Sequence, residues 1–185
     1  MIQRIVRLNL LLSLLAMIGA ASLAGFAKDQ QVQTPGGSNY LVKEVGHELR
    51  MLPYYSVFDD LAFKVDGSTV TLLGEVTNPT LKSDAGNVVK RIEGVEKVDN
   101  QIKVLPLSDM DWQIRRAVFH AIYSAPEMTK YGFQAYPSIH IIVDNGHVTL
   151  TGVVDNAMDK QIAGMRANGV PNVFSVTNNL QVVKS

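Results

Sequence analysis

Hydrophobic and polar residues alternate along two neighbouring stretches of the chain, 61–65 (LAFKV) and 69–76 (TVTLLGEV). Alternation with a period of two predicts β-strands, because successive side chains of a strand point to opposite faces. Asp66-Gly67 between the two stretches predicts a tight hairpin turn. The same alternation returns at 139–143 and 147–154. The pattern therefore predicts two β-hairpins.

Apolar residues recur every three or four positions on both sides of the first hairpin, which is the spacing of one face of an α-helix. The helix before the hairpin is predicted from Leu41, Val45, Leu49 and Leu52. The helix after it is predicted from residues that share a face, namely Leu81, Ala85, Val88, Val89 and Ile92. It ends near Gly94, and residues 98–104 are predicted to form a last strand. The order of elements is α-β-β-α-β.

The two hairpins belong to a long internal repeat. Residues 65–104 align with 143–182 without a gap, and 15 of the 40 paired positions are identical. A repeat of this length indicates two small domains rather than a solenoid. We predict an α+β fold with two tandem modules, 39–106 and 109–184. Each module is expected to be a three-stranded mixed sheet with two helices covering one face, its second and third strands parallel through a right-handed crossover.

The first 27 residues have the features of a secretory signal segment. Arg4 and Arg7 precede a long apolar stretch, and the small residues Gly25 and Ala27 follow it. We expect cleavage after Ala27. An uncleaved anchor helix is the alternative, since the apolar stretch approaches the length that spans a bilayer. Residues 28–38 are polar and contain Pro-Gly-Gly, which predicts a flexible leader.

Charge and cysteine content exclude several classes of protein. The sequence has 17 basic and 17 acidic residues, so it offers no global positive field to nucleic acid. It has no cysteine, which excludes disulfides, thiolate metal sites and a lipid-modified cysteine at the start of a mature chain. We therefore expect an exported, periplasmic protein that is not a lipoprotein and has no nucleic-acid partner.

The sequence contains none of the common catalytic motifs. It has no glycine-rich phosphate loop, no nucleophile elbow and no His-Glu-x-x-His. The four histidines are expected at the surface, with those of the second hairpin at opposite ends of the ladder: His47, His120, His140 and His147. Carboxylates at element edges (Asp59, Asp60, Asp109 and Asp111) are expected to cap helices. We predict no enzyme activity, no metal site and no cofactor.

Two glycines lie in the middle of predicted strands, where a side chain is normally favoured. Gly74 and Gly152 occupy equivalent positions of the repeat. Glycine at such a position usually marks a bulge or a close approach of a helix to the backbone. Both glycines are therefore predicted to be structural rather than ligand-binding.

The first helix of the second module, residues 111–123, has two apolar faces. Its aliphatic face is expected to meet the sheet and contains Ile114, Ala117, Val118, Ala121 and Ile122. Five aromatic and basic residues lie on the opposite side: Trp112, Arg115, Arg116, Phe119 and Tyr123. Aromatic rings favour the membrane interface and guanidinium groups pair with phosphate, so this face is a candidate for weak docking to anionic lipid.

The same face has alternative partners. It would equally suit packing against the first module or against a second chain, since an exposed aromatic stripe marks an interaction site without specifying its kind. An insertion at 123–138 follows the helix and contains Tyr131, Phe133 and Tyr136. It is expected either to extend the aromatic face or to cover the edge of the sheet.

The repeated pattern resembles the BON domain family. The resemblance rests on V-T-L-x-G-x-V followed by G-V-x-x-V-x-N-x-I-x-V, matched by Val70, Thr71, Leu72, Gly74, Val76, Gly94, Val95, Val98, Asn100, Ile102 and Val104. The second module departs from it at Gly169-Val170-Pro171-Asn172-Val173. The resemblance implies a non-enzymatic envelope protein, associated with phospholipid surfaces or with envelope maintenance under osmotic stress. It implies no catalytic residues.

Two functions remain open on these grounds. The chain is either a peripheral protein that binds anionic phospholipid and supports envelope integrity, or a periplasmic chaperone-like or assembly-partner protein. The second function would use the aromatic face and the sheet edges, which accept added strands. The oligomeric state and the orientation of the two modules are not determined by these patterns.

Overall fold

The computed structural model describes residues 37–134 and 136–183. The predicted secretory segment 1–27 lies outside the described residues, as does most of the predicted leader. The leader was predicted to extend to residue 38, but the first helix already begins at Ser38. Both repeats belong to one compact unit.

The first repeat, module 1, has the predicted order of elements. They are α1 (Ser38–Arg50), β1 (Asp60–Asp66), β2 (Thr69–Val76), α2 (Pro79–Val89), β3 (Lys97–Asn100) and β4 (Lys103–Val104). The side chain of Asn78 begins α2 by accepting a hydrogen bond from the Thr80 amide, and Pro79 occupies the first helical position. Both features favour a helix start.

The second repeat, module 2, has the same order with one addition. Its elements are α3 (Asp109–Tyr123), a 3₁₀ turn (Pro126–Met128), α4 (Thr129–Gly132), β5 (Ile139–Asp144), β6 (His147–Val154), α5 (Ala157–Asn168), β7 (Ser175–Asn178) and β8 (Gln181–Val182). The 3₁₀ turn and α4 form within the predicted insertion. The predicted α+β fold of two related modules is confirmed.

Each sheet is mixed, with the second strand of the hairpin in the middle. In module 1, β1 pairs antiparallel with β2, opposing Phe63 to Leu72, and β2 pairs parallel with β3 and β4. In module 2, β5 pairs antiparallel with β6, opposing Ile141 to Leu150, and β6 pairs parallel with β7 and β8. The parallel pairs are connected through α2 and α5.

The last strand of each module is interrupted, whereas a continuous strand was predicted at 98–104. The side chain of Asn100 accepts a hydrogen bond from the Ile102 amide (3.3 Å) and donates one to the carbonyl of Lys82 in α2 (2.8 Å). Asn178 makes the equivalent bonds in module 2. A Cβ on Gly86 would lie 2.9 Å from the Asn100 amide nitrogen. The asparagine therefore ties the strand to the helix and separates β3 from β4.

Each module has its own hydrophobic core between two helices and one sheet face. In module 1 the core includes Leu41, Val45, Leu72, Leu81 and Ile102. In module 2 it includes Ile114, Val118, Ile141, Leu150 and Leu180. Among residues 37–134 and 136–183, no helix is both long enough and apolar enough to cross a bilayer.

Gly74 and Gly152 lie opposite Leu61 and Ile139, close to the backbone of the paired strand. Their φ angles are +115° and +111°, a conformation that L-residues rarely adopt. A Cβ on Gly74 would overlap the carbonyl oxygen of Asp60, and one on Gly152 would overlap that of Ser138. The close neighbour is the paired strand and not a helix.

Candidate functional site

Helix α3 is fixed at its beginning to the β5–β6 hairpin. Ser108 is the N-cap, and its hydroxyl accepts a hydrogen bond from the Asp111 amide. Asp111 was predicted to cap the helix, but its buried carboxylate instead accepts hydrogen bonds from the amides of Asn145 (2.9 Å) and Gly146 (2.8 Å). These are the turn residues of the hairpin. The carboxylate therefore positions α3 beside the first strand of module 2.

Two residues of the predicted exposed face are used inside module 2. Arg115 is only 4% exposed, and its Nη2 donates a hydrogen bond to the carbonyl of Val143 (2.6 Å). The Tyr123 hydroxyl donates to the carbonyl of Ile139 (3.1 Å). Burial lowers the pKa of Arg115 and raises the pKa of Tyr123 to about 12. The prediction that both side chains lie on a free back of the helix is wrong, because β5 runs beside that face.

The outer edge of β5 is covered by these contacts together with one from module 1. The amide of Ile141 donates a hydrogen bond to the carbonyl of Val57 (2.8 Å), which precedes β1 in the chain. Alternate residues of a strand present their backbone groups to the same edge, so Ile139, Ile141 and Val143 all face outward from β6. Each of the three takes part in a contact. The β5 edge of the module 2 sheet is thus occupied within the chain, and β7 forms the opposite edge.

The remaining aromatic residues of α3 form one wall of an open groove, and module 1 provides the other. Phe58 lies edge-on to Trp112, with ring centroids 5.5 Å apart, and to Phe119 at 6.2 Å. The groove has a volume of about 370 Å³ and is lined by Val57, Phe58, Trp112, Arg116, Phe119 and His120. Its surface is almost entirely apolar. We refer to these six residues as the groove.

The rim of the groove is basic. Arg116 and His120 are exposed, lie one helical turn apart and are the polar members of the groove, which contains no carboxylate. Trp112 is 47% exposed. Two further apolar side chains precede it on the surface, Leu107 at 97% exposure and Met110 at 41%. The groove therefore has an apolar floor with an arginine and a histidine at its side, and exposed Leu107 lines a neighbouring depression together with Trp112.

The insertion contributes little to this surface. Tyr131 is buried, donates a hydrogen bond to Asp159 (2.6 Å) and accepts one from the Asp155 amide (2.8 Å). Lys130 forms ion pairs with both aspartates. Of the two alternatives expected for the insertion, the extension of the aromatic face is therefore wrong for Tyr131, because its hydroxyl ties the insertion to the start of α5. Phe133 and Tyr136 remain exposed.

His140 is buried, although all four histidines were expected at the surface. His140 is 8% exposed, because the Tyr55 ring stacks on it with centroids 5.4 Å apart and an angle of 24°. His147 is exposed, with its Nδ1 2.7 Å from the Ser175 hydroxyl oxygen. Within residues 37–134 and 136–183, no three histidine or carboxylate side chains are grouped as metal ligands are.

Sequence reasoning missed the part of the site that module 1 supplies. Tyr55, Val57 and Phe58 lie in the connection between α1 and β1 and contact module 2. Their signal was an aromatic-rich connection between two predicted elements, which is unusual for an exposed loop. The pattern gave no indication of which surface the connection meets.

Comparison with known proteins identifies the repeated modules. The sequence model of the BON domain matches residues 52–106 and 127–184, and both matched segments begin after the first helix of their module. No curated protein sequence matches the chain. Among solved structures, the chain is similar to the C-terminal domain of CdsD, a structural protein of the type III secretion system of Chlamydia trachomatis. The sequence identity is 13% and the TM-score is 0.31, and the match covers 78% of this chain and 98% of that one.

A second CdsD structure from the same organism has 15% identity and a TM-score of 0.27, and the match covers 78% of this chain and 93% of that one.

The two segments that match the BON model comprise more than half of the sequence, and the folded modules they cover have the same order of elements. The chain therefore belongs to the BON domain family, which is associated with membrane and phospholipid binding, and it contains two BON domains.

Proposed function

We propose that this chain is a non-enzymatic, exported protein of the cell envelope that binds the surface of anionic phospholipid membranes. The association of the BON family with phospholipid supports this proposal. The predicted secretory segment supports an exported location in the periplasm, and the absence of cysteine supports a peripheral rather than a lipid-anchored protein. Maintenance of envelope integrity, including under osmotic stress, is the role that such binding would serve.

The observation that carries the proposal is the chemistry of the groove. Trp112 and Phe58 supply rings that partition to the zone between headgroups and acyl chains. Arg116 supplies a guanidinium that pairs bidentately with phosphate. A cation near an anionic membrane contributes on the order of 1 kcal/mol. Binding through this groove is therefore weak and reversible, as suits a peripheral protein.

The proposed binding residues differ from the set predicted from sequence. Trp112, Arg116 and Phe119 remain in it, and Phe58 joins them from module 1. Arg115 and Tyr123 act as positioning residues, because their polar groups are bonded to the carbonyls of β5. Removing either would act on lipid binding through the position of α3.

Trp112 is the only tryptophan in the sequence, so its fluorescence reports on the groove directly. We expect the emission to shift to shorter wavelength with phosphatidylglycerol vesicles and to stay unchanged with phosphatidylcholine vesicles. In flotation assays the wild type should rise only with the anionic vesicles. The variant Trp112→Ala with Arg116→Glu should remain at the bottom of the gradient.

Arg166→Glu is the matched control, since Arg166 is an exposed arginine of α5 outside the groove and the change in charge is the same. It should float like the wild type. Equal flotation of the groove variant and the wild type would overturn the proposal. Equal loss in both arginine variants would show that net charge, and not the groove, governs binding.

A second candidate function is that of a chaperone-like or assembly-partner protein. The observation that favours it is the outer edge of β1, because β2 is the only one of the described strands that pairs with β1. An exposed edge accepts an extended segment of a partner. Suppression of the aggregation of an unfolded envelope protein at equimolar ratio tests this function. Replacing Phe63 in β1 by proline should abolish the suppression, and an unchanged result would exclude the edge.

A further inference from the structure

The residues that precede β1 are held in a fixed conformation by one buried carboxylate. Asp59 is fully buried and accepts four hydrogen bonds. Two come from the amide and hydroxyl of Ser56, at 3.0 and 2.6 Å. The other two come from the amide and hydroxyl of Thr77 at the end of β2, at 2.7 and 2.9 Å. Residues 55–58, which we call the docking segment, are therefore presented rigidly by module 1.

The docking segment makes three kinds of contact with module 2. The Val57 carbonyl accepts the hydrogen bond from Ile141, the Tyr55 ring covers His140, and the Phe58 ring meets the aromatic side of α3. Val57 and Phe58 also pack against the hydrophobic core of module 2. The segment thus belongs by sequence to module 1 and by packing to both modules.

Further contacts join the modules away from the groove. The Tyr136 hydroxyl donates a hydrogen bond to the Sδ of Met51, which follows α1 (3.1 Å). Lys103 of β4 forms ion pairs with Asp144 of module 2 (2.6 Å) and with Glu75 of its own sheet (3.1 Å). Its side chain is about half exposed. Exposed ion pairs contribute about 0–1 kcal/mol, so the apolar contacts of the docking segment provide most of the attraction. Domains of one chain commonly move relative to each other unless the interface between them is large and hydrophobic.

The groove exists only when the modules are docked, because Val57 and Phe58 form one wall and α3 forms the other. Phe58 and Trp112 touch edge to face, so an amphiphile that lies in the groove against both rings contacts both modules at once. It therefore binds the docked arrangement more tightly than an open one. Such a ligand must shift the equilibrium toward docking, and docking must by the same factor increase its affinity.

We propose that membrane binding and inter-module docking are coupled, so that module 1 acts as the switch that assembles the lipid groove of module 2. This inference rests on the proposed function of the groove. In the docked state Phe58 and Trp112 face the same ligand. In the undocked state α3 retains Trp112 and Arg116 but loses the opposite wall, and affinity for an anionic surface falls.

The test uses spin labels, which the absence of native cysteine makes straightforward. Ser83→Cys in α2 and Gln161→Cys in α5 place the labels on exposed positions that are equivalent in the repeat. Pulsed electron paramagnetic resonance then measures the distance between the modules. The docking variant is Tyr55→Ala with Lys103→Glu, neither of which lines the groove. The matched control is Tyr54→Ala with Lys97→Glu, both at exposed positions of module 1.

We expect a narrow distance distribution for the wild type and the control, and a broad one for the docking variant. Phosphatidylglycerol vesicles should narrow the distribution of the docking variant, while phosphatidylcholine vesicles should leave it broad. The docking variant should bind the anionic vesicles at least about fivefold more weakly than the control, within the usual range of coupling between sites. Far-UV circular dichroism and urea unfolding verify that both modules remain folded.

A second variant separates docking from the folding of module 1. Lys103→Glu alone should weaken both docking and binding, and adding Asp144→Lys should restore both by reversing the ion pair. If the docking variant binds anionic vesicles as tightly as the control does, the coupling is overturned and the proposed function stays intact. Failure of the wild type to bind either kind of vesicle would overturn the proposed function together with the coupling.

Discussion

The guanidinium of Arg115 donates a 2.6 Å hydrogen bond to the carbonyl of Val143 on the outer edge of β5. An arginine on the side of a helix thereby covers a backbone group of the neighbouring strand. Arg116, the next residue, points away from the strand and is exposed on the rim of the groove. Two adjacent arginines in one helix consequently have different roles, one structural and one available to a ligand.

Replacing each arginine by alanine separates these roles. We expect Arg115→Ala to reduce the free energy of unfolding by about 1–3 kcal/mol, because it leaves a buried carbonyl without its donor. Arg116→Ala should change it by no more than about 0.5 kcal/mol, as is usual for a surface substitution. Urea denaturation followed by circular dichroism measures both. Equal losses in the two variants would contradict the assignment of Arg115 to the edge of β5.

Removal of the Asp111 carboxylate should loosen the β5–β6 hairpin. Its oxygens accept the amide protons of Asn145 and Gly146, and hydrogen bonds to a charged group contribute about 1.5–3 kcal/mol each. We expect Asp111→Ala to lower stability by roughly 3 kcal/mol and to accelerate hydrogen exchange at the Gly146 amide. Asp109→Ala, at an exposed position in the same turn of α3, is the control. Exchange at Gly146 that is no faster than in the control would argue against this role.

Alanine at Gly74 should be far more damaging than alanine at Gly67. Both glycines have positive φ, at +115° and +58°. A Cβ at Gly74 would also overlap the Asp60 carbonyl, whereas one at Gly67 would have no atom within 4 Å. We expect Gly74→Ala to cost roughly 3 kcal/mol or more and Gly67→Ala roughly 1 kcal/mol. Thermal unfolding of the two variants compares their stabilities. Similar losses of stability would show that the strain of a positive φ alone, and not the overlap with Asp60, determines the destabilisation.

Acid should weaken the attachment of the insertion to α5. Burial opposes ionisation of Asp159, but hydrogen bonds from Lys130, Tyr131 and Asn156 outweigh it and leave the pKa of this carboxyl below its ordinary value. A carboxyl whose pKa is lower in the folded state than its unfolded value of about 3.9 stabilises the fold at pH values above that unfolded pKa. This stabilisation is lost as the pH falls through the folded-state pKa.

The corresponding variant is Asp159→Asn, which has no carboxyl to titrate at this position. Its stability relative to the wild type should be lower at pH 7 and should approach that of the wild type at pH 2.5. Urea unfolding at the two pH values measures the difference. A difference between the proteins that does not change with pH would contradict the inferred role of the ionised carboxylate.

The repeat is the feature that made the fold predictable. Val70 in β2 and Val148 in β6 occupy equivalent strands of the two modules. The alternating pattern in each copy supports the strand assignment in the other. The helices followed from spacing, as Leu41 and Val45 show by their complete burial. The break between β3 and β4 did not follow, because it depends on a bond from Asn100 to the Lys82 carbonyl across the fold.

The candidate site was predictable in part. Helical periodicity put Trp112, Arg116 and Phe119 on one side of α3, and all three line the groove, although Phe119 also packs against the core of module 2. It assigned Arg115 and Tyr123 to the same side, where both donate hydrogen bonds to carbonyl groups of β5. Nothing in a periodic pattern distinguishes a side chain that meets solvent from one that meets the edge of a strand.

The sequence by itself determined the two modules, their order of elements, and the residues that each helix and strand turns toward its own core. These depend on the spacing of apolar residues along short stretches of chain. Only the tertiary structure decided that Phe58 of module 1 faces Trp112 of module 2 and that Tyr55 covers His140. Those contacts join residues more than 50 positions apart, and they arise from how two finished surfaces meet, which local periodicity does not encode.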